Sequence, residues 1–211
     1  AAADFTEYTS DPAKPVPYTE DVHFDHTREY MTDDQRSASR RPDVLVFQTG
    51  VLEEDLTVTG SPVADLMTSI STTDADFVVK LIDVYPDNLG YNSVDIYAEE
   101  DPVRKYPMGG YQMLVRAEIF RGRYRKSYEN PSAFIPGKTE EVKFELPSVA
   151  HTFRKGHRLM VQIQSSWFPL ADRNPQQFVN IYNCSEKDFI KSNIKIYHNN
   201  QYASKIVLPV L

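Results

Sequence analysis

The chain has 211 residues, 41% hydrophobic and 25% charged, which is typical of a globular domain large enough to bury a sizeable core. Its formal net charge of −7 argues against the basic surface that nucleic-acid binding requires. No apolar run approaches the roughly 20 residues of a membrane span, and the single cysteine excludes an internal disulfide. The 13 Tyr, 11 Phe and 14 Pro favour an all-β fold.

The first 31 residues lack a regular hydrophobic pattern. Residues 11–17, DPAKPVP, predict a stiff extended segment, because each proline fixes its own φ and restricts the residue before it. Such a segment usually runs over a surface, so we interpret residues 1–31 as a connector that arrives from elsewhere. Thr32-Asp33-Asp34-Gln35 then matches a capping box, which predicts one short helix ending before Pro42.

The strongest strand signal lies at residues 77–84, where the apolar run FVVKLIDV is interrupted only by Lys80 and Asp83. Such a run, followed by turn-forming residues from Pro86 onward, is typical of a strand buried on both faces. Alternating apolar and polar residues predict further strands at residues 44–48, 56–59, 63–70, 113–119, 142–146, 159–163, 194–197 and 206–208. These strands predict a jelly-roll β-sandwich domain over residues 32–211, and the polar stretch 86–110 predicts a hairpin arm or an ordered loop.

A possible metal site is suggested by His23-Phe24-Asp25-His26, which places two imidazoles and a carboxylate within four residues. A zinc site normally recruits a further ligand from elsewhere in the chain, whereas a polar loop needs none, so we prefer the loop interpretation and predict no cofactor. The sequence contains no G-x-S-x-G elbow, phosphate-binding loop, G-x-G-x-x-G or H-E-x-x-H motif. We therefore assign no catalytic residue.

Two further groups of charged side chains admit a structural or a functional interpretation. The cluster Arg121, Arg123, Arg125 and Lys126 could bind an anion or an acidic partner, but a network of ion pairs is the simpler interpretation. His151 and His157 flank a predicted turn at Arg154-Lys155-Gly156, and we expect them to be surface residues rather than a catalytic dyad.

The segment 165–175, SSWFPLADRNP, contains the only tryptophan, Trp167, next to Phe168. Asp172 and Asn174 can cap local turns, and Arg173 can pair with a carboxylate. An aromatic loop at the end of a sandwich could contact a glycan or another domain. Equally, it could pack over the open end of its own core.

Several separated motifs, in order along the chain, carry a resemblance to a known family. They are Asp33-Asp34-Gln35-Arg36, residues 41–46 (RPDVLV), residues 73–84 (TDADFVVKLIDV), Gly156-His157-Arg158-Leu159, residues 167–169 with 172–175, and residues 206–210 (IVLPV). Together, over roughly residues 5–211, the chain resembles the C-terminal domain of the X-Pro dipeptidyl-peptidase, cocaine esterase and α-amino-acid ester hydrolase family of serine hydrolases.

The resemblance implies a galactose-binding-like jelly roll that carries no catalytic residue. In such enzymes the catalytic triad lies in a preceding α/β-hydrolase domain, which would be the partner of this chain and to which residues 1–31 would connect. The domain would pack on that partner and help wall its substrate cleft. Members of the ester-hydrolase branch are often exported, so the resemblance implies a periplasmic or secreted parent, and it leaves open a homo-oligomer formed through that parent.

Three hypotheses follow from the sequence. The first is an accessory domain whose contacts to the cleft or to the neighbouring domain include His23, Phe24, His26, Trp167, Phe168, Asp172 and Arg173. The second is an autonomous carbohydrate-binding module in which Trp167 stacks on a sugar ring. The third is a metal-dependent enzyme that uses His23 and His26. We rank them in that order.

Overall fold

The computed structural model describes residues 4–20, 27–88 and 108–211. Most of the regular structure in these ranges is β-strand, with one single-turn α-helix, α1 (Arg36–Ser39), and three short 3₁₀ turns. The strands are β1 (Phe5–Ser10), β2 (Leu45–Gln48), β3 (Leu56–Gly60), β4 (Val63–Ile70), β5 (Asp76–Val84), β6 (Gln112–Arg121), β7 (Glu140–Glu145), β8 (Val149–Phe153), β9 (Arg158–Gln164), β10 (Ser192–Tyr197) and β11 (Lys205–Val207).

Two antiparallel sheets pack face to face. In the larger sheet β1 pairs with β10, β10 and β11 pair with successive parts of one edge of β4, and β7 pairs with the other edge of β4. The second sheet has the order β2-β9-β5-β6. A ribbon of β3 and β8 completes the strands. One hydrophobic core contains side chains from both sheets, including Leu66, Ile196, Phe77, Leu81 and Ile163. The predicted all-β jelly-roll sandwich is therefore confirmed.

Strand β5 is the central element of the second sheet, because it pairs with β6 on one side and with β9 on the other. Phe77, Val79 and Leu81 belong to the core between the sheets, whereas Val78 packs with Tyr18 and Trp167 on the opposite face. Residues outside the sandwich thus form a third layer over β5. This double covering explains the nearly continuous apolar run and confirms the prediction of a strand buried on both faces.

The N-terminal segment differs from the prediction. Residues 5–10, which the sequence pattern assigned to a connector, form β1 and pair along their whole length with β10. Only Tyr8 of this strand places a large apolar side chain in the core, so the alternation of apolar and polar residues along β1 is weak. The predicted capping box is also wrong, because Gln35 occupies the N-cap of α1 and makes no capping hydrogen bond with its side chain.

Lys80 lies on the outer face of β5 and is 1% exposed. Its amine donates a hydrogen bond to Gln35 Oε1 at 2.9 Å and lies 4.7 Å from the centre of the Trp167 ring. Within the described ranges no carboxylate forms an ion pair with this amine. Burial therefore lowers the pKa of Lys80 to about 7, because a charged amine is poorly solvated in this environment.

Gly122 follows β6 at the point where the chain turns towards the start of β5. Its N–H donates to the carbonyl of Ala75 at 2.9 Å. A Cβ at this position would lie 2.7 Å from the Ala75 oxygen and 2.8 Å from the Phe134 ring. Both neighbours belong to the buried interior, so neither can move away at low cost.

We expect Gly122→Ala to lower the free energy of unfolding by about 1–3 kcal/mol, because the added methyl overpacks rigid surroundings. Gly50→Ala is the matched control, since no atom lies within 4 Å of a Cβ at that position. Urea unfolding of both variants measures the difference. Equal stability of the two variants would contradict the close approach at Gly122.

We expect Lys80→Met to be most stabilising, relative to wild type, at or below pH 7. Between pH 7 and the usual lysine pKa of 10.5, the unfolded chain holds a proton that the folded chain has released. Wild type therefore gains stability as pH rises, by about 1 kcal/mol per pH unit. Methionine cannot titrate, so its advantage should shrink towards pH 10.

Urea unfolding at pH 7, 8.5 and 10 measures this pH dependence. Lys138→Met, at an exposed turn residue, is the control and should show a stability difference that stays constant with pH. A constant difference for Lys80→Met as well would mean that Lys80 remains protonated in the folded chain.

Candidate functional site

The segment that follows β9 is held against the beginning of β5 by buried polar contacts. The amide of Asn174 donates to Asp76 Oδ1 at 2.7 Å and to Asp74 Oδ2 at 3.2 Å. Arg123 donates from Nε to Asp74 Oδ2 at 2.7 Å and from Nη1 to the carbonyl of Val179 at 2.9 Å. Two carboxylates at one strand end therefore fix the path of a long irregular loop.

The electrostatics of this network favour a structural role. Burial raises the pKa of Asp74, against the opposing effects of Arg123 and Asn174. Burial likewise raises the pKa of Asp76 to about 6, against Arg121 and Asn174. Asp74 is 0% exposed and Asp76 is 3% exposed, so a substrate cannot reach either carboxylate without displacing the loop.

The basic cluster is an ion-pair network. Arg121 pairs with Asp76 at 3.2 Å, and the side chain of Arg125, which is 0% exposed, pairs with Glu140 at 2.6 Å. Lys126 approaches the same Glu140 oxygen at 3.4 Å. These charges are neutralised within the domain, which agrees with the simpler of the two interpretations of the sequence.

The aromatic segment is divided between the interior and the surface. Trp167 is 5% exposed and packs with Tyr18 and Val78, so its ring contacts this chain's own core. Phe168 is 38% exposed. The guanidinium of Arg173 lies 5.9 Å from the Phe168 ring and 4.6 Å from the Phe189 ring, which holds Phe168 against the loop.

The two charged residues of the same segment differ in their exposure. Arg173 donates to the carbonyl of Pro12 at 3.0 Å and to Glu186 Oε1 at 2.8 Å, so it ties the loop to the N-terminal segment. The side chain of Asp172 is 68% exposed, and its Oδ1 lies 3.5 Å from Arg121 Nη2. Asp172 is therefore largely available to another surface.

Apolar side chains are exposed along this loop, and we call Phe168, Phe178, Tyr182 and Ile190 together the aromatic loop surface. Tyr182 is 87% exposed, and the other three are between 37% and 39% exposed. Phe178 and Tyr182 line a shared groove of about 440 Å³ with Arg121, Arg123 and Tyr124. Phe178 and Tyr182 were not predicted from the sequence. Their only signal was two aromatic residues in the stretch 176–183, QQFVNIYN, which was not predicted as a strand.

His151 and His157 are not simple surface residues, which corrects the expectation. His157 Nδ1 lies 2.8 Å from Asp83 Oδ1, and His151 Nε2 lies 2.9 Å from Asp83 Oδ2. The strand β5 brings Asp83 between them, because β9 begins next to it and β8 lies close by. In the described part of the chain, no hydroxyl or thiol is hydrogen-bonded to either imidazole, so the nucleophile of a triad is missing there.

The candidate metal cluster His23, Asp25 and His26, for which a polar loop was the preferred interpretation, lies outside the described residues, as does the predicted cleft contact Phe24. Among residues 4–20, 27–88 and 108–211, no group of three or more His, Cys, Asp or Glu side chains is arranged to hold a metal ion. The same ranges contain no helix long and apolar enough to cross a membrane.

Comparison with known proteins identifies the family. A family model described as the X-Pro dipeptidyl-peptidase C-terminal non-catalytic domain matches residues 4–207. The cocaine esterase of Rhodococcus sp. (strain MB1 Bresler) is 32% identical over 204 residues, which cover 97% of this chain and 32% of the esterase.

Two solved structures are similar over nearly the whole chain. An aminopeptidase from a marine sediment archaeon, Thaumarchaeota archaeon, is 43% identical with a TM-score of 0.87, over 100% of this chain and 34% of its own. An α-amino acid ester hydrolase is 42% identical with a TM-score of 0.88, over 99% of this chain and 33% of its own. The chain thus spans about a third of each relative, and it belongs to the family of X-Pro dipeptidyl-peptidase C-terminal non-catalytic domains.

Proposed function

We propose that this chain packs on the α/β-hydrolase domain of a serine hydrolase and helps wall its substrate cleft. The observation that carries the proposal is the aromatic loop surface, whose exposed apolar side chains stand on a backbone fixed by buried ion pairs. A chain that spans only a third of its relatives also has the size expected of one domain among several. The parent enzyme would hydrolyse esters or amides of small acyl groups.

The physical argument for docking rests on rigidity as well as exposure. Apolar patches of this kind mark contact sites, because water contact with them is unfavourable. Aromatic and arginine side chains carry most of the binding energy in many interfaces, and Arg123 lies 5.0 Å from the Phe178 ring. Because the loop is already held by Asp74 and Asn174, little conformational entropy would be lost on docking.

The residues next to this surface are proposed as the cleft-side contacts. Phe168 and Asp172 are exposed, and Arg173 fixes the loop to residue 12, which precedes the segment containing His23, Phe24 and His26. We propose that this segment reaches the cleft in the parent enzyme. Exchange of all three residues in the full-length parent with no change in substrate preference would contradict that role.

The carbohydrate-binding alternative receives no support from the residue on which it was based. A stacking platform must offer its face to the sugar, and the ring of Trp167 is enclosed by Tyr18, Val78 and the Lys80 amine. We therefore retain the accessory-domain function as the proposal.

We expect the purified chain to be inert towards a fluorophosphonate probe and towards a nitrophenyl ester. Addition of the parent's catalytic domain should produce both labelling and turnover. Mass spectrometry of the labelled mixture locates the modified serine, which should lie in the added domain. Stoichiometric labelling of one serine in this chain alone would contradict the proposal.

We expect the double variant Phe178→Ser/Tyr182→Ser to bind the catalytic domain at least tenfold more weakly than wild type, because two exposed aromatic anchors are removed. Calorimetry with the separately purified catalytic domain measures the Kd. Val51→Ser is the matched control, because Val51 is 52% exposed and lies near His157, at the opposite end of β5. Equal weakening by Val51→Ser, or none by the double variant, would place the interface elsewhere.

A further inference from the structure

A cavity of about 200 Å³ opens between the two sheets of the sandwich. On one side it is lined by β2 and β9, and on the other by β4, β10, β11 and the turn between the last two. Strands β10 and β11 pair with successive parts of the same edge of β4. The cavity therefore lies where β10 has ended and β11 begins, at a break in the larger sheet.

The inner wall of the cavity is hydrocarbon. Leu66, Ile163 and Ile196 line it and are each 1–2% exposed, so they belong to the core proper. Phe47 and Ile206 are only partly buried and form the outer walls. Protein interiors normally contain few voids larger than a water molecule, and an apolar cavity of this kind favours an apolar occupant over water.

The polar groups at the opening are mostly used within the domain. The Ser204 hydroxyl accepts from the Met67 N–H at 2.9 Å and donates to the Met67 carbonyl at 3.3 Å. The Lys205 amine lies 3.4 Å from Asp65 Oδ2. The cation nearest the opening is therefore already paired, which argues against a charged ligand.

His198 is the exception. Its Nε2 is 3.0 Å from Thr6 Oγ1, and its ring lies beside Phe47, with 6.5 Å between the ring centres. Its other nitrogen, Nδ1, has no hydrogen-bond partner in the described part of the chain. Because His198 lines the cavity, Nδ1 is a hydrogen-bonding atom of the lining that the described residues do not use.

The size of the cavity limits the ligand. A cavity of about 150 Å³ lined by aliphatic and aromatic side chains is known to hold benzene. We propose that this cavity binds a small uncharged molecule with one aromatic or branched aliphatic group and a single hydroxyl group that faces His198. This binding site is distinct from the aromatic loop surface and does not depend on the function proposed for it.

Methyl-detected NMR of the isotopically labelled chain tests the proposal, with benzyl alcohol and toluene as probes. We expect saturable shifts of the Leu66, Ile163 and Ile196 methyl groups with a Kd of about 1 mM or tighter for benzyl alcohol. Galactose is the polar control and should cause no saturable shift. Absence of saturation by both aromatic probes, or preferential binding of galactose, would overturn the proposal.

A variant in which a larger side chain fills the cavity should bind the ligand more weakly. Ile206→Phe adds volume at the outer wall, and we expect it to weaken benzyl alcohol binding at least tenfold. Val207→Phe is the matched control, because the adjacent residue is 48% exposed and does not line the cavity. Phe47→Trp fills the cavity from the opposite wall, and it replaces Ile206→Phe in this test if circular dichroism shows that Ile206→Phe does not fold. Wild-type binding by the folded filling variant would overturn the assignment.

The polar contact has its own test. His198→Ala should weaken binding of benzyl alcohol about fivefold, the loss expected for one hydrogen bond, and should leave toluene binding within twofold of wild type. Equal effects on the two ligands would overturn the role of His198.

Discussion

The structure depends on the covering of β5 from both sides. A strand with only one covered face can place charged residues on the other face at no cost, but β5 has no such face. Each polar residue in it must therefore be bonded to a specific partner inside the protein. Asp76 forms an ion pair with Arg121 and accepts a hydrogen bond from Asn174. Lys80 donates a hydrogen bond to Gln35, and Asp83 accepts hydrogen bonds from two histidines. The loops that supply these partners are thereby fixed in place.

This constraint explains why the sequence motifs that resemble the family stabilise the fold of the domain and carry no catalytic group. The stretch Thr73–Asp76 and the residues Asp172–Asn174 belong to these motifs, and Asp74 and Asn174 are hydrogen-bonded to each other inside the domain. Replacing a buried ion pair by apolar residues is often neutral or stabilising, so such pairs are weak evidence for stability alone. A conformational role fits better, because Arg123 joins Asp74 to the backbone of the loop that carries Phe178.

The sequence predicted the parts of the fold in which one physical signal dominates. Strands β4, β5 and β7 show clear alternation or a continuous apolar run, and the structure places them where the pattern did. Strand β1 was missed, because Thr6 and Ser10 occupy positions on the same face as Tyr8 and hide its alternation. The outer layer was predicted over β5 but not over β9. Gln162 and Gln164 alternate with apolar residues, which is typical of a strand with one face in water, but both are 0% exposed, and Gln162 donates to the carbonyl of Gln35.

The same limits apply to the candidate site. Sequence pattern located the loop at Trp167–Arg173, yet it could not tell which aromatic side chain enters the core, because burial depends on residues such as Tyr18 that are distant in sequence. The sequence suggested Trp167 as an exposed contact residue, but Trp167 is buried and Tyr182 is exposed. The tryptophan closes the outer layer over Lys80, and the exposed tyrosine is left as the group that another domain can contact. Under the proposed accessory role, this domain would act on a neighbouring active site through the position of this loop. The buried carboxylates of Asp74 and Asp76, at the start of β5, determine that position.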